Sequence, residues 1–154
     1  TEISLLLGHT PGFAPPAGRT TVNLAPADIR KEGPSFDLPI AIGMIAATGG
    51  LDGAALGDFS IVGELALSGE VRRVRGVLPI AVGARQAGRR AILVPPENAE
   101  EAAVVEGLAV HPVETLREAA DFLAGRFDIA PLQVRAAEAF ADGRFSDEDF
   151  ADVK

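Results

Sequence analysis

The chain has 154 residues with a formal net charge of −8, and 47 % of them are hydrophobic against 23 % charged, which suits one compact domain with a real core. Cys, Trp and Tyr are absent, so disulfides, thiolate metal sites and dithiol chemistry are excluded, and aromatic platforms for single-stranded nucleic acid have little to build on. The acidic balance argues against a surface that is a nucleic-acid footprint throughout, and with neither a membrane-length apolar run nor a signal-like start the chain reads as soluble and cytoplasmic.

In chain order, Ile3 to Leu7 is a short apolar run, and "GHTPGFAPPAGR" after it is loop chemistry. Thr21 to Leu24 has the character of a strand ended by Ala25-Pro26. Phe36 to Ala47 is apolar almost without break, and its length and Ala content predict a helix buried on most sides. "TGGLDG" closes it. Phe59 to Leu67 alternates, which predicts one half-buried strand with Phe59, Ile61, Leu65 and Leu67 inward. Ser68-Gly69 then reads as a two-residue hairpin turn, and "EVRRV" as the returning strand.

Val77 to Ala87 predicts a helix stopped by Gly88, and Ala91 to Val94 a short buried strand broken by Pro95-Pro96. Ala99 to Glu106 follows as a helix with an acidic start, Leu108 to Val113 as a strand, and Thr115 to Ala124 as a helix capped by Thr115. Helices and strands mix, with at least one antiparallel hairpin, so the fold class is mixed α/β with a partly parallel sheet. The character changes at about Phe127. Val134 to Ala141 can form one more helix, and "DGRFSDEDFADVK" reads as a polar linker.

Familiar catalytic patterns are mostly missing. No Gly-Lys dipeptide occurs, so there is no phosphate loop, and there is no G-x-G-x-x-G. His9 and His111 have no helical pairing with each other, which leaves a histidine-based metal site without company. Glu100 and Glu101 read as a solvated helix start, where negative charge suits the dipole. Ser35 is the sharper case. It precedes an apolar helix, where its hydroxyl can cap the amide of Asp37 or Leu38, with Asp37 favourable in the first turn. As a nucleophile it needs a base within reach, and the chain's lysines are Lys31, directed away by Gly33-Pro34, and Lys154 at the end. Local chemistry favours the cap.

"TVNLAPADIRKEGPSFDLPIAIG" and "GELALSGEVRRVRGVLPIAVGARQAGRRAILVPPENAEEA" resemble the Lon-like amino-terminal domain of the ComM, or Mg-chelatase-like, family. The resemblance runs from about Thr21 to Lys154. It implies a poorly matched segment over residues 1–20, a Lon-like domain over 21–126, and a helix and linker over 127–154 that lead toward an AAA+ ATPase module. More distantly, Glu32-Gly33-Pro34-Ser35 is similar to the D-G-P-S pattern holding the serine of the Lon proteolytic domain. The Lon G-G-L-K pattern is matched by Arg75-Gly76-Val77-Leu78, so Leu78 stands where Lon has its catalytic lysine. Val110-His111-Pro112-Val113 resembles Lon's I-H-P-V.

The resemblance thus implies a Lon protease-domain-like fold, similar to the second domain of ribosomal small-subunit protein five, without proteolytic activity. No catalytic, cofactor or metal residue is expected in this chain. ATP and magnesium belong to the AAA+ module, a homo-hexamer is the expected assembly, and the parent protein would remodel DNA by branch migration in natural transformation. Nothing in the chain resembles a porphyrin site. Arg30, Lys31, Arg72, Arg73 and Arg75 are the candidate contacts for DNA or a neighbouring subunit, the plainer alternative being local pairing with Glu64 and Glu70. Two other classes stand beside this reading: a Lon-type serine peptidase using Ser35 with an unrecognised base, and a stand-alone regulatory or ligand-binding domain.

Overall fold

The apolar run after Ser35 becomes α1 (Asp37–Ala47) in the computed structural model of the chain. Leu38, Ala41, Ile42, Met44 and Ile45 are buried, and Ile40 and Ala46 pack against the same core, so the helix is enclosed on most sides as its composition predicts. It stops where Thr48 Oγ1 donates to the carbonyls of Met44 and Ile45, at 3.2 and 3.0 Å. Gly49 then takes φ +84°, a conformation that costs glycine little. The structure describes residues 33–132 together with Leu6, Leu7, Phe13 and Ala17. The expected strand at Thr21–Leu24, the helix at Val134–Ala141 and the closing polar stretch lie outside the described residues.

Three parallel strands form the centre. β1 (Phe59–Ile61) pairs with β4 (Ala91–Val94), and β4 pairs with β5 (Ala109–Pro112), in register Ile92↔Val110. β4 is the middle strand and all of its residues are buried, which explains an uninterrupted Ala-Ile-Leu-Val run. Its alternation divides the core. Leu93 faces the cluster built by α1 and α4 (Leu116–Leu123), whereas Ile92 and Val94 face the cluster built by α2 (Val77–Gln86) and α3 (Ala99–Ala103). Helices therefore cover both sides of the sheet. α4 is capped by Thr115 as its sequence predicts, Oγ1 accepting from the Glu118 N–H at 3.0 Å, and the structure adds that Glu118 reaches back to the Glu114 N–H at 3.4 Å.

The expected single strand from Phe59 to Leu67 is corrected to two. Val62 still donates to Leu93 at 3.0 Å, but Gly63 is drawn out of the sheet by backbone bonds to Ser35 and Leu38, each 3.0 Å. The chain then continues as β2 (Glu64–Leu65), antiparallel to β3 (Val71–Arg72). Leu67, expected inward, is 71 % exposed at the hairpin tip. The two-residue turn is also corrected. Ala66 N–H donates to Glu70 at 2.9 Å and Gly69 N–H to Ala66 at 2.9 Å, the pattern of a loop over Leu67–Gly69 with Gly69 at φ +89°. The helix expected to reach Glu106 ends at Ala103.

Past Arg126 the chain still contacts the domain. Leu132 N–H donates to the Val110 carbonyl at 2.7 Å, making an antiparallel bridge to β5, and Ile129 packs against the α1–α4 cluster.

Candidate functional site

Ser35 lies half-buried in a 3-10 turn, Gly33–Phe36, that feeds directly into α1. Its expected place as helix cap is corrected: the cap position falls on Phe36, which contributes no side-chain bond. The N–H of Leu38 is satisfied by the Gly63 carbonyl, and Gly63 in turn donates to the Ser35 carbonyl. A backbone can do this only by close approach. A Cβ on Gly63 would meet Val71 Cγ1 at 3.0 Å and Leu38 Cδ2 at 3.2 Å, so a residue lacking one brings the hairpin onto the helix start. Asp37 adds a side-chain link, its Oδ2 accepting from the Leu65 N–H at 3.3 Å. The turn that carries Ser35 and the root of the hairpin are thus laced together.

The hairpin runs out into the arginines. Arg72 faces Glu64 across the strand pair, and Arg73 and Arg75 are exposed on either side of buried Val74. Among the described residues none of the three is joined to Glu64 or Glu70 by an ion pair. Arg30 and Lys31 lie outside the described residues. Val74 is held by Asn98, a residue with no role in the sequence reading. Asn98 is 2 % exposed; its Oδ1 accepts from the Val74 N–H at 3.0 Å and its Nδ2 donates to the Val74 carbonyl at 2.9 Å. The amide side chain imitates a strand neighbour and so sets the course of the backbone between Arg73 and Arg75. Its signal in the sequence, an Asn just before a helix, suggests a cap, and it makes no cap bond.

Leu78 is the second residue of α2 and is 38 % exposed. The helix begins at Gly76, with φ +76°, and the Leu78 N–H donates to Glu101 Oε1 at 3.0 Å. Glu101, read as solvated, therefore caps a neighbouring helix, and its other oxygen accepts from Asn98 at 3.3 Å. The Leu78 side chain is hydrocarbon, and it offers neither a lone pair nor a charge to activate a hydroxyl. His111 is buried, its Nδ1 2.8 Å from the Ile129 carbonyl and its ring centroid 4.7 Å from that of Phe122. His9 lies outside the described residues. Beside the hairpin is an open cleft of about 560 Å³ edged by Ser68, Glu70, Glu97 and Glu114. Its carboxylates make it a poor seat for phosphate, whereas the neighbouring hairpin strand and its exit carry Arg72, Arg73 and Arg75, all exposed.

A parallel sheet covered on both faces, a serine turn tied to a hairpin root, and a helix start after that hairpin define a Lon-like mixed α/β domain. The mitochondrial Lon protease homologue of Bos taurus is 34 % identical over 111 residues, covering 69 % of this chain and 11 % of that protein. Residues 7–98 match the family described as Subunit ChlI of Mg-chelatase. The competence protein ComM of Haemophilus influenzae is 47 % identical over 114 residues, 74 % of this chain and 22 % of that protein, and the uncharacterized protein YifB of Escherichia coli is 40 % identical over 115 residues. The chain belongs to this ComM, or Mg-chelatase-like, family. It spans about a fifth (22 %) of the length of the ComM and YifB proteins it matches.

Proposed function

We propose that this chain is the non-catalytic Lon-like domain of a ComM-type AAA+ ATPase that acts on DNA in natural transformation and branch migration. In this reading ATP and magnesium serve the AAA+ module, the parent assembles as a hexamer, and the domain contacts DNA through the edge formed by Arg72, Arg73 and Arg75. The observation that carries the non-catalytic part is Leu78: the position that resembles Lon's lysine holds a hydrocarbon side chain whose backbone is already committed to Glu101. Fold likeness to Lon does not bring the chemistry with it when the activating group is missing. A fluorophosphonate probe should therefore label the wild-type chain no more than the Ser35→Ala variant. Ser35-dependent labelling overturns the reading in favour of a peptidase.

The DNA part rests on cationic charge that makes no ion pair among the described residues and lies beside an acidic cleft, since a local basic edge attracts phosphate within an acidic protein and each neutralised phosphate releases counterions. In the full-length parent, Arg72→Ala with Arg73→Ala should weaken DNA binding and flatten the slope of log K against log salt by about 0.9 for each lost phosphate contact. Wild-type affinity and slope combined with lost hexamers would assign the arginines to assembly instead.

A further inference from the structure

The segment Phe127–Leu132 turns back after α4 and lies as a strap along β5. Two backbone carbonyls record the contact: Val110 accepts from the Leu132 N–H at 2.7 Å, and Ile129 faces His111 Nδ1 at 2.8 Å. A carbonyl only accepts, so Nδ1 carries the proton and donates it to this bond. The ring is seated between aromatic neighbours, with centroids 4.7 Å from Phe122 and 6.4 Å from Phe59. Beyond His111, β5 continues into a segment that grips the hairpin. Val113 N–H donates to Val94 at 2.9 Å, Val71 N–H donates to Glu114 at 2.8 Å, and Leu116 N–H donates to Gly69 at 2.8 Å. Val113 and Leu116 are fully buried, so the segment has little freedom to move apart from its neighbours.

We propose that the strap Phe127–Leu132 and the arginine-bearing hairpin are one coupled unit, with His111 as the positioning residue that latches it. The strap holds β5 at His111 and Val110, and the extension of β5 holds the hairpin at Gly69 and Val71. Reorienting the strap then changes how firmly the hairpin, with Arg72 and Arg73, is docked. This goes beyond the function proposed above and stands whether or not the arginines meet DNA.

Amide hydrogen exchange followed by NMR on the 154-residue chain tests it, because each link has its own reporter. Leu132 reports the strap, Val71 and Leu116 report the hairpin dock, and Val62, bonded to Leu93, reports the sheet. His111→Phe keeps a ring and loses the donor, whereas His111→Asn keeps a donor close to the position of Nδ1 and loses the ring. His111→Phe should speed exchange about tenfold at Leu132, Val71 and Leu116 with Val62 unchanged, and His111→Asn should restore slow exchange at all three. The proposal is overturned if Leu132 speeds up alone, if Val62 speeds up equally, if nothing changes, or if His111→Asn behaves as His111→Phe.

Discussion

Asn98→Leu is expected to be among the most damaging single substitutions in the described residues, costing about 3–5 kcal/mol through two buried backbone groups left without partners. Val74 is 6 % exposed, and both its N–H and its carbonyl are satisfied by the Asn98 amide. Leucine is close to asparagine in size but answers neither, and water has little access to the site. Asn98→Asp separates the two bonds: the acceptor for the N–H remains, the donor is gone, and a carboxylate is placed beside that of Glu101, its Nδ2 partner. It should be at least as destabilising, since an unpaired buried charge is dearer than an unpaired dipole. Urea denaturation of the two variants is the measurement. A loss below about 1 kcal/mol for Asn98→Leu would mean the Val74 backbone finds other partners and that Asn98 does not set the arginine edge.

Gly63→Val should come second, at about 2–4 kcal/mol, within and slightly above the usual range for overpacking. The added Cβ meets Val71 Cγ1 and Leu38 Cδ2 at 3.0 and 3.2 Å, and Leu38 is fully buried, so neither neighbour can retreat freely. To make room, Gly63 must move from α1, which weakens the Leu38–Gly63 and Gly63–Ser35 bonds that join the serine turn to the hairpin. Gly43 supplies the control. It sits exposed inside α1 with nothing within 4 Å of a built Cβ, so Gly43→Ala should stabilise by about 0.5–1 kcal/mol through helix propensity alone. Opposite signs at the two glycines are the expected pattern in thermal or urea melts. A neutral Gly63→Val would show that the hairpin root is loosely packed.

Elements whose signal is local were legible from the chain. The apolar run of α1, the Thr115 cap and the stop at Gly88 each depend on residues within a turn or two. The family was legible for the same reason, because the matched region, residues 7–98, contains the serine turn, the hairpin and the arginines in one continuous stretch. What failed were readings that needed to know a distant neighbour. Period-two alternation made Phe59–Leu67 one strand, but the pattern cannot register that Val62 answers to Leu93 while Gly63 answers to Ser35 and Leu38. The Leu38 N–H, one of the two donors offered to Ser35, is taken by Gly63, which is remote in sequence. Glu101 looked solvated because its donor, Leu78, lies on another helix.

The sequence by itself determined the α/β class, the buried helix after Ser35, the placement of the helices and parallel strands that follow the hairpin, and the hydrocarbon at Leu78. Each is a property of residue type or of short-range period, and burial enforces it wherever the core forms. The tertiary structure alone decided that the hairpin root caps α1, that Asn98 replaces a strand neighbour for Val74, and that His111 binds the returning strap. Those outcomes depend on unsatisfied backbone groups, which every residue carries alike and which only the packed fold pairs with particular partners.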